Sequence, residues 1–193
     1  MTPEICLISV PHNGTGFAIQ MFVKNGWQEQ PLNGRPMREP VLYQGHCESA
    51  SQWRMALALS ERMPLIMPLR HPYRVEESWR RRGEDHDRMM RAYAVMLSIL
   101  VPHVSVWVPL DAGVDERVRA RLNLAKMAGK ALDIDWDTPI NSVHSTHAVP
   151  LSELDPSPRI RNIRKHSLFR RIYGDGDGQA HVRGTPHAEQ QAE

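Results

Sequence analysis

Short apolar runs alternate along this chain with stretches of helical periodicity, the pattern of strands laid between helices. Ile5-Cys6-Leu7-Ile8-Ser9-Val10 is nearly continuous in apolar β-formers, as a strand buried on both faces requires. After the turn Pro11-His12-Asn13-Gly14-Thr15-Gly16, the positions Phe17, Ala18, Met21 and Phe22 recur at helical spacing until Asn25-Gly26 ends them. Gln28 to Pro40 holds three prolines and little periodicity, so it reads as a loop. Val41 to His46 is a second strand, Ser49 to Arg62 a helix capped by Ser49 or Ser51, and Leu65 to Leu69 a third strand. Pro68 in that strand lacks an amide donor and predicts a position where one ladder bond is missing.

Helices are predicted over Tyr73–Arg82 and Asp87–Leu100, a fourth strand over Val104–Leu110, and a long amphipathic helix over Val114–Leu132 with Val118, Leu122, Ala125 and Leu132 near one stripe. Past Trp136 the pattern fades. Alternating strands and helices specify an α/β fold with a mostly parallel sheet of four to five strands. The chain has 193 residues, 41% hydrophobic, which fits one domain over residues 1–173 and a flexible C-terminal tail over 174–193. No run approaches the roughly 18 apolar residues of a membrane span. Met1-Thr2-Pro3-Glu4 carries no positive charge before its apolar run, so no secretory signal is read and a cytoplasmic protein is expected. Cys6 and Cys47 are expected to be buried thiols, since two cysteines supply neither a disulfide framework nor a zinc site.

A net charge of only +2 gives no whole-molecule attraction to nucleic acid, and no nucleic-acid partner is expected. The kind and placement of the charge say more. Twenty of the 24 basic residues are Arg, and Arg159, Arg161, Arg164, Lys165, Arg170 and Arg171 form a run without an acid between them. Guanidinium groups fork onto phosphate and sulfate oxygens, so the bias fits an oxyanion ligand; a solvated basic face is the alternative.

In an α/β sheet ligands bind beyond the carboxyl ends of the strands. His12-Asn13-Gly14-Thr15-Gly16-Phe17 follows the first strand there, and its glycines let amides approach an anion at the next helix's positive end. A plain turn with glycine for geometry is the alternative. Phe17-Ala18 stands where a nucleotide triphosphatase has Lys-Ser or Lys-Thr. After the third strand, Arg70-His71-Pro72 is followed by Ser78, eight residues beyond the Arg, which can bring a guanidinium and a hydroxyl to one oxyanion.

In these segments the chain resembles the sulfotransferases that use 3'-phosphoadenosine 5'-phosphosulfate, whose first strand runs into Pro-Lys-Ser-Gly-Thr-Thr-Trp. Pro11, Gly14 and Thr15 match, with Phe17 in the aromatic place. The family's Arg-x-Pro followed by Ser is matched by Arg70, Pro72 and Ser78, and Gln44-Gly45-His46 resembles the segment carrying its base. The resemblance covers Ile5 to Arg82. It implies a three-layer P-loop-like fold and in-line sulfuryl transfer without a metal, to a small-molecule or glycan acceptor. It further implies that His46 is the general base and that His12, Asn13, Gly14, Thr15, Gly16 and Phe17 hold the 5'-phosphosulfate. Arg70 and Ser78 would hold the 3'-phosphate, with Arg164 and Lys165 in support.

The chain departs from the family where His12 replaces the loop Lys, Asn13 the Ser and Gly16 the second Thr. A protonated His12 would then have to balance charge on the departing phosphate. Glu39 and Glu48 are rival bases, and the five tryptophans read as packing, though one could face the adenine. His144 and His147, three apart, accompany no metal motif. A non-catalytic nucleotide- or anion-binding module of the same fold, and a small P-loop kinase, are the competing functions.

Overall fold

The computed structural model describes residues 4–35, 40–136 and 149–175. Five strands, β1 (Ile5–Ser9), β2 (Gln28–Pro31), β3 (Val41–His46), β4 (Leu65–Leu69) and β5 (Val106–Pro109), form one sheet in the order β2-β3-β1-β4-β5. Every pairing is parallel. The expected α/β class with a parallel sheet is therefore what the chain adopts, in a three-layer, P-loop-like arrangement.

Side chains along the central strands alternate between two cores, which is why their sequences are apolar without a break. Ile5 and Leu7 face one core together with α1 (Thr15–Lys24) and α5 (Val114–Ala128). Cys6 and Ile8 face the other, with α2 (Ala50–Ser60), α3 (Pro72–Arg81), α4 (His86–Val95), α6 (Pro158–Arg164) and α7 (Ser167–Tyr173). Both cysteines are buried and free, and burial pushes the Cys6 thiol up to about 12. Among the described residues no helix is long and apolar enough to cross a membrane.

Four stretches differ from the sequence expectation. The stretch read as a loop contains β2, an edge strand whose polar, half-exposed residues Gln28-Glu29-Gln30 give no apolar signal. The last long helix ends at Ala128, where Gly129 takes φ 67°, and the buried positions are Ala120 and Leu124, with Val118 and Leu122 exposed. A continuous helix over Asp87–Leu100 proves to be α4 followed by a π-turn over Met96–Leu100. The basic run past Trp136 forms α6 and α7, whose inward residues Ile160, Ile163, Leu168, Phe169 and Ile172 dock on the core.

The strand order creates the site. From β1 the chain leaves toward β3 and β2 by way of α1, and from β4 it leaves toward β5 by way of α3 and α4 on the opposite face. Neighbouring strands whose connections depart in opposite directions open a crevice at their carboxyl ends, the place where open α/β sheets bind ligands. Here that crevice lies between β1 and β4.

Candidate anion site at the switch point

Direct pairing of β1 with β4 covers only Cys6 with Leu65 and Leu7 with Ile66. Beyond that the ladder stops short of Pro68, which has no amide to offer across the gap. Asn13 fills it. Its carboxamide, wholly buried, donates from Nδ2 to the Pro68 carbonyl at 2.8 Å and accepts the Arg70 amide on Oδ1 at 2.7 Å. One side chain thus performs the two hydrogen bonds of a missing strand residue and fixes the β1–α1 turn against β4.

The turn is sharp at two positive φ angles, 64° at His12 and 94° at Gly14. Gly14 is required twice over, since a Cβ there would lie 2.6 Å from the Leu110 side chain. Helix α1 starts without a side-chain cap, and among the described residues the amides of Gly14, Thr15, Gly16 and Phe17 meet no acceptor. Four open donors at a positive helix end can hydrogen-bond the oxygens of an oxyanion. Phe17 packs inward and stacks at 5.5 Å on Trp136.

His46 ends β3 directly beside Ser9, its register partner. Its Nδ1 lies 3.1 Å from the Ser9 hydroxyl, which lies 2.6 Å from the hydroxyl of Thr15 on the first turn of α1. Among the described residues Nε2 forms no side-chain hydrogen bond. Burial lowers the His46 pKa below 6.5, only partly offset by Glu48, so the ring is neutral at pH 7. A neutral imidazole anchored through one nitrogen and open at the other can take a proton. Glu48, the rival base, ion-pairs with Arg88, while its buried Oε2 has no hydrogen-bond partner among the described residues; Glu39 lies outside the described residues, as do His144 and His147.

His12 is committed differently. Its Nε2 is 2.8 Å from Glu84 and its Nδ1 is 3.1 Å from the Ser78 hydroxyl, with Trp79 packed on the ring at 5.1 Å. Burial also lowers its pKa, against the opposing pull of Glu84. A neutral ring between these partners carries its proton on Nε2 toward the carboxylate and accepts the Ser78 hydroxyl on Nδ1. Both nitrogens are thus engaged, one by Ser78 and the other by Glu84. Trp79 completes the clasp by donating from Nε1 to the Pro11 carbonyl at 3.1 Å.

Ser78 is therefore brought to His12, and Arg70 is brought to Asp111, its Nε 3.4 Å from the buried carboxylate. Asp111 also accepts the His71 amide at 3.1 Å and faces Arg74 at 3.9 Å. Arg164 is buried, donating to His71 Nε2 at 2.9 Å and to the Gly174 carbonyl at 2.7 Å. Lys165 is exposed and lines a groove of about 500 Å³ with Met90, Leu97 and Ile163 that shares no residue with the turn. Three more of the basic run form ion pairs: Arg159 with Asp87 at 2.6 Å, Arg161 with Asp155 at 3.4 Å, Arg170 with Asp175 at 2.5 Å.

Sequence reasoning passed over Ser9, Glu84 and Asp111. Ser9 and Asp111 stand at or just after the carboxyl ends of their strands, where the topological rule directs attention. Glu84 follows a helix end and carries no such signal. Among the described residues no group of three His, Cys, Asp or Glu could hold a metal. Compared with known proteins, the chain matches no family model, no curated protein and no solved structure.

Proposed function

We propose that this chain transfers a sulfuryl group from 3'-phosphoadenosine 5'-phosphosulfate to a hydroxyl or amine of a small-molecule or glycan acceptor. One observation carries the reading: the Ser9 hydroxyl joins His46, a neutral imidazole with an open Nε2, to Thr15 on the uncapped first turn of α1. A base and an oxyanion cradle thus share one short hydrogen-bonded line at the switch point.

In the proposed reaction the amides of Gly14 to Phe17 hold the 5'-phosphosulfate, and His46 Nε2 accepts the acceptor's proton. The acceptor heteroatom forms a bond to sulfur while the sulfur–oxygen bond to the phosphate breaks, and that electron pair leaves with the phosphate. Charge growing on the departing phosphate is met by the amides and the helix end, preorganised donors of the kind that dominate such transfers. Neutral His12 then serves as the clasp that shapes the turn. Arg70 and Ser78 flank the crevice, and a 3'-phosphate held there competes with Asp111 and His12 for them. Two buried free thiols fit a reducing compartment, and the cytosol is proposed on that ground.

A second reading, a non-catalytic nucleotide-binding module, is favoured by the internal partners of His12 and Arg70. Calorimetry with 3'-phosphoadenosine 5'-phosphate and a transfer assay over an acceptor panel separate the two. Binding with turnover supports the transferase, binding without turnover supports the module, and absence of binding refutes both. Arg70→Ala should weaken nucleotide binding by about 1.5–3 kcal/mol; unchanged affinity removes Arg70 from the site. ATP with Mg²⁺ is the control for a kinase, and stabilisation by it alone would favour that class.

A further inference from the structure

We infer that Ser9 and Thr15 couple anion binding to the base: an anion on the first turn of α1 sets His46 in the tautomer whose Nε2 is free to accept a proton. This rests on His46 being the base. Ser9 and Thr15 act here as positioning residues.

Ser9 is fully buried, and its hydroxyl lies between Thr15 Oγ1 at 2.6 Å and His46 Nδ1 at 3.1 Å. A hydroxyl has one hydrogen, so the line of three groups runs in one of two directions. In the first, Thr15 donates to Ser9, Ser9 donates to His46 Nδ1, and the ring proton sits on Nε2, where it blocks proton acceptance. In the second, His46 Nδ1–H donates to Ser9, Ser9 donates to Thr15, and the Thr15 hydrogen points outward. Nε2 then holds a lone pair.

An oxyanion accepts hydrogen bonds and donates none. Seated on the amides of Gly14 to Phe17, at the same helix end as the Thr15 hydroxyl, it takes the outward Thr15 hydrogen and selects the second direction. In net terms the Nε2 proton is lost to solvent at the partly exposed edge of the ring and Nδ1 gains one, while the Ser9 and Thr15 hydrogen bonds reverse direction. The base is thereby armed when the sulfuryl donor is in place.

The test is ¹⁵N NMR of the full chain labelled at histidine, at a pH well above the ordinary imidazole value of about 6.5, with sodium sulfate and then 3'-phosphoadenosine 5'-phosphate as probes. The ratio of Nδ1–H to Nε2–H tautomer at His46 should rise about tenfold or more at saturation, the effect of one hydrogen bond to a charged acceptor. Thr15→Val should abolish the rise and Thr15→Ser should restore it, while Ser9→Ala should leave the ratio indifferent to the anion. The inference is overturned if the probes shift the Gly14 to Phe17 amide signals without changing the ratio, or if Thr15→Val responds like the parent. If no probe reaches those amides, both the coupling and the proposed function fall. Coupling without sulfuryl transfer in the acceptor assay leaves the inference standing and removes the transferase reading.

Discussion

Asn13→Ala is the substitution that isolates what ties the β1–α1 turn to β4. The Asn13 carboxamide makes two buried hydrogen bonds, at 2.8 Å to the Pro68 carbonyl and 2.7 Å from the Arg70 amide, and alanine deletes both. Each backbone group left buried without a partner costs about 1–3 kcal/mol, giving roughly 2–6 kcal/mol together. Water entering the vacated space recovers part of that, so the expected loss is about 2–4 kcal/mol. At about 2–4 °C per kcal/mol for a chain of this size, the melting temperature should fall by about 5–15 °C. Urea unfolding followed by tryptophan fluorescence measures the loss directly, and its slope should not change, because the surface exposed on unfolding is the same. Asn13→Asp keeps the volume and the acceptor for Arg70 but sets a carboxylate oxygen against the Pro68 carbonyl, and should cost at least as much at neutral pH. A loss below about 1 kcal/mol for alanine, or an aspartate variant as stable as the parent, would refute the idea that this side chain replaces a strand.

His46→Ala should lower sulfuryl transfer by about 10²–10⁴-fold while nucleotide affinity measured by calorimetry stays within about twofold. The acid limb of turnover should fall with a midpoint below 6.5, because burial holds the His46 pKa down and the base acts only when neutral; a midpoint above 7 would contradict this. Folding stability should decline as pH drops below the unfolded value of about 6.5, since His12 and His46 both have lowered folded pKa values and the unfolded chain then binds the protons. A His12→Gln/His46→Gln double variant should show a flatter decline in urea titrations between about pH 7 and 5. Gly14→Ala should cost about 2–4 kcal/mol from its positive φ and the clash with Leu110, and Leu110→Ala in the same chain should recover the steric part alone.

Much of the fold was legible because burial on both faces leaves an unambiguous mark. β1 and β4 were read within a residue of their observed bounds from nearly unbroken apolar runs, and β3 from its Val41-Leu42-Tyr43 start. β2 was missed because an edge strand of glutamines and glutamate, half in solvent, looks like a loop. In α5 the periodic stripe of Val118 and Leu122 pointed to the wrong face: those side chains are exposed, and the helix docks through Ala120 and Leu124. Helices α6 and α7 were hidden by their arginines, three of which pair with Asp87, Asp155 and Asp175.

For the site, the sequence alone determined which segments matter, since the glycine turn after β1, Arg70 after β4 and His46 at the end of β3 are fixed by local pattern and strand ends. Partnership was decided in three dimensions. That Ser78 bonds to His12, that Glu84 occupies the other nitrogen of that ring, and that Arg70 turns to Asp111 depend on contacts across 41 to 72 residues, from Arg70–Asp111 to His12–Glu84. No local spacing encodes them. The physical reason is that strand and helix patterns record only whether a position is buried, whereas the protonation and direction of a buried polar side chain are set by whichever donor or acceptor the sheet order brings within about 3 Å. Ser9 shows the division plainly: its place at the end of β1 is written in the sequence, and its position between Thr15 and His46 exists only because β3 lies beside β1 in parallel register.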